Sequence, residues 1–140
     1  THKEMGERVI FTNGCFDIIH PGHIDSLIQA SCLGDILIVG LNSDSSVKRL
    51  KGESRPVNNQ NARAKVIAAL GMVDAVVIFD EDTPKELLSE LRPSIIVKGG
   101  DYRKEGVAGR EFADDVVIVP ITHGYSTTGI IEKVITENNE

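Results

Sequence analysis

Residues 8–23, RVIFTNGCFDIIHPGH, constrain the fold of this chain more than any other segment. A short apolar run of strand-forming residues leads into a turn at Asn13 and Gly14, and the segment ends in two histidines, His20 and His23. Apolar residues then recur at helical spacing, so the histidines lie where a strand gives way to a helix. In an open α/β sheet, ligands bind at such junctions, beyond the carboxyl ends of the strands.

The sequence HPGH suits a helix start that binds phosphate. Imidazoles donate hydrogen bonds to phosphate oxygens, and the first turn of a helix adds unpaired backbone N–H groups. Gly22 has no Cβ to obstruct a ligand, and Pro21 is tolerated at the first helical position. Two alternatives stay open: a pair of surface histidines at a proline-initiated helix, or a metal-binding pair for which no third ligand cluster is visible.

Five apolar runs alternate with helical patterns along the chain, at residues 9–12, 35–41, 74–79, 94–97 and 116–120. Continuous apolar strands are typical of parallel sheets covered on both faces. Strands that alternate with helices predict right-handed crossovers between parallel strands. We therefore expect one α/β domain over residues 1–140, with a doubly wound, five-stranded parallel sheet and with residues 1–7 and 137–140 frayed.

The composition limits the classes of partner. The 140 residues carry a net charge of −6, which argues against a general nucleic-acid or membrane surface. No apolar run approaches the length that a membrane span requires. Cys15 and Cys32 are too few for a disulfide scaffold and suit a reducing cytoplasm. The sequence thus predicts a cytoplasmic protein that binds neither nucleic acid nor membrane.

Basic residues follow the second strand, which ends at Asn42. Lys48 and Lys51 lie on the ligand side of the predicted sheet, where either could hold the β- and γ-phosphates of a nucleotide. Arg55, in the loop that follows, could reach a sugar phosphate. The alternative is a solvated basic helix face. For Arg63, in the next predicted helix, the residues alone indicate an exposed helix charge, and only the superfamily resemblance given below implies contact with the triphosphate or the second substrate.

Two later junctions also favour anion binding. After the fourth strand, Lys98 precedes Gly99 and Gly100, whose lack of side chains allows a ligand to approach the backbone. An ordinary β-turn is the alternative there. Before the last helix, the run Ser126 to Thr128 provides hydroxyls and free N–H groups, although such a run can also be a simple cap.

Two of these segments resemble signatures of a known superfamily. GCFDIIHPGH resembles the HxGH motif of the nucleotidyltransferases that include the cytidylyltransferases, and GYSTT at residues 124–128 resembles their second signature. The resemblance extends over residues 8–135. It implies a Rossmann-like sheet with strand order 3-2-1-4-5 and a site in the crevice between the first and fourth strands.

Within this superfamily, the runs TNGCFD, NSD, KRLKGESRPVN and VKGGDY are most similar to heptose 1-phosphate adenylyltransferases. That resemblance implies transfer of AMP from ATP to a heptose 1-phosphate, with Mg²⁺ as cofactor and with pyrophosphate and ADP-heptose, a lipopolysaccharide precursor, as products. It also implies a homodimer, and a sugar kinase that is either a separate protein or fused to the chain.

The resemblance and the framing of the crevice together assign three groups of residues, without any metal-ligating residue. The expected catalytic residues are His20, His23 and Lys48. The expected nucleotide-binding residues are Gly14, Cys15, Phe16, Gly22, Lys98, Gly100, Asp101, Ser126, Thr127 and Thr128. The expected substrate-binding residues are Asn13, Asp17, Asn42, Arg55 and Arg63.

One departure from the superfamily pattern bears on the substrate. Members that use CTP with glycerol phosphate or choline phosphate often carry an arginine in the sequence RTEGISTT, whereas this chain reads ITHGYSTT from Ile121. The missing arginine disfavours a cytidylyltransferase acting on glycerol 3-phosphate or another polyol phosphate, which remains the alternative enzyme. A nucleotide-binding module without turnover is the alternative from another class, because the same fold supports both.

Overall fold

The computed structural model describes residues 5–100, 103–120 and 126–138. Its strands are β1 (Val9–Gly14), β2 (Ile36–Asn42), β3 (Ala75–Phe79), β4 (Ile95–Gly99) and β5 (Asp115–Val119). Its α-helices are α1 (Pro21–Ser31), α2 (Asp44–Lys51), α3 (Gln60–Ala68), α4 (Lys85–Leu91) and α5 (Thr127–Asn138). Short 3₁₀ turns at Lys104–Gly106 and Arg110–Phe112 lie between β4 and β5.

The strands form one parallel sheet in the order β3-β2-β1-β4-β5. This order confirms the predicted fold class and topology. Phe11 in the central strand β1 pairs with Ile38 of β2 on one side and with Ile96 of β4 on the other. The chain therefore changes direction across the sheet between β1 and β4, and a crevice opens at that switch point.

The central strands of the sheet are covered on both faces, as their continuous apolar runs predicted, whereas the edge strand β3 is partly exposed. Successive side chains of a strand point to opposite faces. Ile10 accordingly packs with Leu27 of α1 on one face, while Phe11 packs with Leu88 of α4 on the other. Gly40 makes this packing possible, because a Cβ at that position would lie 2.6 Å from Cζ of Phe11. This packing leaves the carboxyl ends of the central strands open to a ligand.

The last helix, α5, extends through Asn138, into the segment at residues 137–140 that the sequence predicts to be frayed. None of the helices in the described residues is long and apolar enough to cross a membrane.

Candidate active site

The loops at the carboxyl ends of the strands enclose an open cavity of about 650 Å³. It lies at the switch point between β1 and β4 and reaches the first turns of α1 and α5. Most of the residues that we expected at the site line it. They are Asn13, Gly14, Cys15, Phe16, Asp17, His20, His23, Asn42, Arg55, Lys98, Ser126 and Thr128.

Other expected residues lie elsewhere. Among the described residues, the cavity lining does not include Gly22, Lys48, Arg63 or Gly100. Asp101 lies outside the described residues, as does the part of the second signature at residues 124–125, and the side chain of Thr127 is not described either. Conversely, the lining includes two residues that the sequence had not singled out, Leu50 and Asp82. It also includes Gly99, noted above as a point of backbone approach, and Lys51, the alternative to Lys48.

The two histidines form a hydrogen-bonded cap at the start of α1. Nδ1 of His20 accepts the backbone N–H of Gly22 at 3.1 Å, and Nδ1 of His23 accepts the backbone N–H of His20 at 3.2 Å. The arrangement is a capping box in which imidazoles replace the usual hydroxyl and carboxylate. The rings stack with their centroids 3.8 Å apart. The same contacts therefore start the helix and orient both rings.

This cap also fixes the protons on the rings. A nitrogen that accepts a hydrogen bond carries no proton, so each neutral ring holds its proton on Nε2. Burial lowers the pKa of His20, and burial together with the neighbouring His20 lowers the pKa of His23 to about 4. At neutral pH both rings are therefore uncharged Nε2–H donors on the cavity wall.

The lowered pKa of His23 predicts that stability falls in mild acid. The pKa is about 4 in the folded chain against 6.5 for an unperturbed histidine, so the unfolded chain takes up the proton first as the pH falls. The free energy of unfolding should therefore decrease between pH 6.5 and pH 4. Urea denaturation across this range measures the decrease. His23→Asn removes the titrating group while all carboxylates stay, so an equally steep decrease in that variant would contradict the assignment.

Phe16 supports His23 from the side. Its ring is buried, and its centroid lies 5.2 Å from that of His23. The backbone of Phe16 has φ of +47°, a conformation that is uncommon outside glycine and that concentrates at functional sites. Gly14 accommodates this bend, because a Cβ there would lie 3.0 Å from the Phe16 ring. The loop after β1 is thus shaped to hold the imidazole against the cavity.

The buried carboxylate of Asp17 fastens the loop at residues 52–58 to the site. Oδ1 accepts the N–H groups of Val57 and Asn58, each at 2.9 Å, and Oδ2 accepts Nε of Arg55 at 2.9 Å. Burial alone would raise the pKa of Asp17, but these hydrogen bonds outweigh it and the pKa is lowered. Because protein donors occupy both oxygens, the geometry favours a loop latch over the substrate contact that we expected.

Arg63 is an internal brace. Its side chain is fully buried, so the alternative of an exposed helix charge is wrong. Nε donates to the carbonyl oxygen of Asn58, Nη1 to those of Cys15 and Asn42, and Nη2 to Oδ1 of Asp44, at 2.7–2.9 Å. One guanidinium thus joins the loop after β1, the end of β2, the start of α2 and the loop before α3. The geometry favours this bracing role over the expected phosphate contact.

Comparison with known proteins identifies the family. The cytidylyltransferase-like family model matches residues 11–133. The chain belongs to the cytidylyltransferase-like family. This confirms the nucleotidyltransferase assignment that the two signatures suggested.

Curated relatives of this cytidylyltransferase-like chain are more than 50% identical to it over the aligned residues. It is 57% identical over 132 residues to the bifunctional protein HldE of Campylobacter jejuni serotype O:2, with 94% of this chain and 29% of that protein covered. It is 52% identical to the bifunctional protein HldE of Campylobacter concisus, with 96% and 28% covered. The chain therefore spans less than a third of the length of these relatives.

Two solved structures show the same fold. A lipopolysaccharide core biosynthesis protein from Thermoplasma volcanium GSS1 has a TM-score of 0.72 and 28% identity, over 84% of this chain and 99% of that one. A pantoate-beta-alanine ligase from Francisella tularensis has a TM-score of 0.56 and 13% identity, over 89% of this chain and 62% of that one. The second similarity concerns the fold alone.

More cations than carboxylates line the cavity of this cytidylyltransferase-like domain, although the chain is acidic overall. The cations are Lys51, Arg55 and Lys98, and the carboxylates are Asp82 and Asp17, which pairs with Arg55. Nζ of Lys98 donates to Oδ1 of Asn13 at 3.0 Å, and burial lowers the pKa of the ammonium group. Burial raises the pKa of the Cys15 thiol, so this cysteine is an uncharged part of the wall. Three cations and two imidazole donors around one cavity suit a ligand with several phosphates.

Proposed function

We propose that this chain transfers AMP from ATP to a heptose 1-phosphate, with ADP-heptose and pyrophosphate as products. The main observation in support is the composition of the cavity wall, where two neutral imidazole donors lie with three cations. The imidazoles are those of His20 and His23, and the cations are Lys51, Arg55 and Lys98. The runs KRLKGESRPVN and VKGGDY support the heptose substrate through their resemblance to heptose 1-phosphate adenylyltransferases. The similarity to the HldE proteins and to a lipopolysaccharide core biosynthesis protein supports the same choice.

The proposed reaction is one direct displacement. An oxygen of the sugar 1-phosphate forms a bond to the α-phosphorus of ATP, and the bond from that phosphorus to the bridging oxygen breaks, so that pyrophosphate leaves. The nucleophile is already an anion and requires no general base. The protein contributes positioning and charge stabilisation. Nε2–H of His20 and of His23 donate to oxygens on which negative charge develops, and the cavity cations hold the phosphates.

Mg²⁺ is the proposed cofactor, and its chemistry would be to neutralise charge on the departing pyrophosphate. The described residues contain no group of three or more histidine, cysteine or acidic side chains that could hold a metal ion. The Asp17 carboxylate is occupied by N–H donors. We therefore propose that phosphate and water oxygens hold the ion, which is the usual way in which Mg²⁺ accompanies a nucleotide.

Lys51→Ala is expected to lower kcat/KM for ATP at least 10-fold, roughly the effect of losing one hydrogen bond to a charged phosphate. Lys48→Ala should lower kcat/KM less than about 3-fold, because it removes no phosphate contact. Lys51 lines the cavity and Lys48, one helical turn earlier, does not. The two variants remove the same charge from the same helix and so control for each other. AMP affinity should change little in either, because AMP lacks the β- and γ-phosphates. A larger loss in Lys48→Ala would restore the assignment made from the sequence.

The proposed function is tested by pyrophosphate release from four substrate pairs, ATP or CTP with heptose 1-phosphate or glycerol 3-phosphate. We expect the highest kcat/KM for ATP with D-glycero-β-D-manno-heptose 1-phosphate. A preference for CTP with glycerol 3-phosphate would instead favour the cytidylyltransferase. ATP binding by calorimetry without pyrophosphate release from any pair would favour a non-catalytic module.

The proposed partners follow from the same resemblance. We propose a homodimer and a sugar kinase, separate or fused, that supplies the phosphorylated sugar. The bifunctional description of the HldE relatives supports a second activity beside this domain. Two cysteines and a net charge of −6 support a cytoplasmic location without nucleic-acid or membrane partners.

A further inference from the structure

A smaller cavity of about 160 Å³ adjoins the main one at the carboxyl ends of β1 and β4. The two cavities share Asn13, Asp82 and Lys98. The remaining wall of the small cavity comes from the start of α4 and from the segment between β4 and β5, through Thr83, Pro84, Gly106 and Ala108. Asp82 therefore lies where the two cavities meet.

Arg49 orients Asp82 in this place. Nε of Arg49 donates to Oδ1 of Asp82 at 2.8 Å, and the same guanidinium donates to the carbonyl oxygen of Asp80. The contact ties helix α2 to the loop after β3. Within the described part of the chain, the hydrogen bonds of Asp82 engage only Oδ1. Both side chains of this ion pair are exposed, so Arg49 orients Asp82 without immobilising it, and Oδ2 is an acceptor open to solvent at the junction of the cavities.

A carboxylate at this junction favours binding of the uncharged hydroxyl groups of a ligand over its phosphate groups. It accepts hydrogen bonds from hydroxyl groups and repels phosphate oxygens. Arg55, elsewhere in the main cavity, attracts phosphate, and the cation Lys98 borders both cavities. With Lys51 assigned to the nucleotide, this distribution favours a sugar phosphate oriented with its phosphate towards Arg55 and its hydroxyls towards Asp82. At roughly 30 Å³ for each water-sized group, the small cavity accepts on the order of five non-hydrogen atoms, enough for a two-carbon hydroxylated tail.

We propose that Asp82, oriented by Arg49, selects a sugar phosphate whose ring carries a hydroxylated side chain of two carbons, and that the small cavity receives this side chain. The inference rests on the proposed function and extends it by assigning the acceptor subsite. Gly106 and Ala108 are small, exposed residues of the wall of the small cavity. A Cβ on Gly106 would meet no atom within 4 Å. The space next to this glycine is therefore unfilled by the described residues.

The test compares two acceptors that share a ring, heptose 1-phosphate and mannose 1-phosphate, which lacks the seventh carbon. In Asp82→Ala, kcat/KM for the heptose should fall about 30–100-fold, mainly through KM, because its hydroxyls lose their acceptor. For mannose 1-phosphate the decrease should stay below about 3-fold, and KM for ATP should not change. Ala108→Leu, at an exposed position, should reproduce this pattern by filling the cavity. Arg49→Gln should show a smaller loss, again in KM rather than kcat.

Glu111→Ala is the matched control. Glu111 is also a carboxylate in an exposed ion pair, with Lys85 at 3.6 Å, and it borders neither of the two cavities. This variant should keep wild-type selectivity. Equal losses for both acceptors in Asp82→Ala, or a parallel rise in KM for ATP, would overturn the subsite.

Calorimetric titration with heptose 1-phosphate separates this inference from the proposed function. Turnover by the wild type with unchanged selectivity in Asp82→Ala and Ala108→Leu overturns the subsite alone. Binding by the wild type that Asp82→Ala weakens, without turnover, supports the subsite and overturns the adenylyl transfer. Neither binding nor turnover by the wild type overturns both.

Discussion

Replacing His23 with asparagine is expected to lower kcat about 10²–10³-fold, and His20→Asn should have a similar effect. Each substitution removes an Nε2–H donor from the cavity wall. Asparagine retains a side-chain oxygen that can accept the backbone N–H now bound by Nδ1, so the helix start should survive. The measurement is steady-state pyrophosphate release, with circular dichroism as the check that α1 remains folded.

The control for these variants separates helix capping from chemistry. Asn59 caps α3 through its side chain, which accepts the N–H of Ala62, and it lines neither the main nor the small cavity. Asn59→Ala should cost about 1 kcal/mol of stability, the usual loss for a helix cap, without a comparable loss of kcat. Near-normal turnover in both histidine variants would remove the imidazoles from the proposed mechanism.

Arg63→Ala is expected to reduce the free energy of unfolding by about 3–5 kcal/mol, the range found when one partner of a buried ion pair is removed. The variant leaves the carbonyl oxygens of Cys15 and Asn42 without their guanidinium donor. Arg63→Lys should recover only part of the loss, because one ammonium group cannot reproduce the planar fork that reaches four acceptors. Urea denaturation of the three proteins measures the difference.

Lys65→Ala is the matched control for Arg63, since Lys65 is an exposed cation on the same helix. It should change the free energy of unfolding by less than about 0.5 kcal/mol. If Arg63→Ala does not fold, the comparison of Arg63→Lys with Lys65→Ala still tests the brace. Stability of Arg63→Lys within 0.5 kcal/mol of the wild type, roughly the scatter of surface substitutions, would contradict it.

The sheet was predictable from the sequence because strands that are buried on both faces appear as continuous apolar runs. Strands such as β2 must be apolar throughout, and that pattern differs from an amphipathic helix. The strand order was not contained in those runs and came from the resemblance of the two signatures to a superfamily. The position of the cavity followed from the order, because a switch point places the ends of β1 and β4 side by side.

The roles of single polar residues were less predictable, because a sequence does not show which side chains form hydrogen bonds within the protein and which remain available to a ligand. Asp17 and Arg63 have the residue types of ligand contacts, yet the folded chain uses their hydrogen bonds internally. Lys48 and Lys51 are three residues apart and so lie on nearly the same helix face, which spacing alone cannot resolve. Asp82 had one visible signal, its place shortly after the end of β3 at Phe79.

The central position of β1 sets an order for assembly during synthesis. Ile10 pairs with Leu37 on one side, but its partner on the other side, Ile95, leaves the ribosome much later. The half of the sheet formed by β1, β2 and β3, with the Asp17 latch and the Arg63 brace, can therefore assemble while the β4 side of β1 still lacks a neighbour. Such an open edge invites pairing with other chains. We expect the nascent chain to be most vulnerable to aggregation in this interval, which ends when β4 docks.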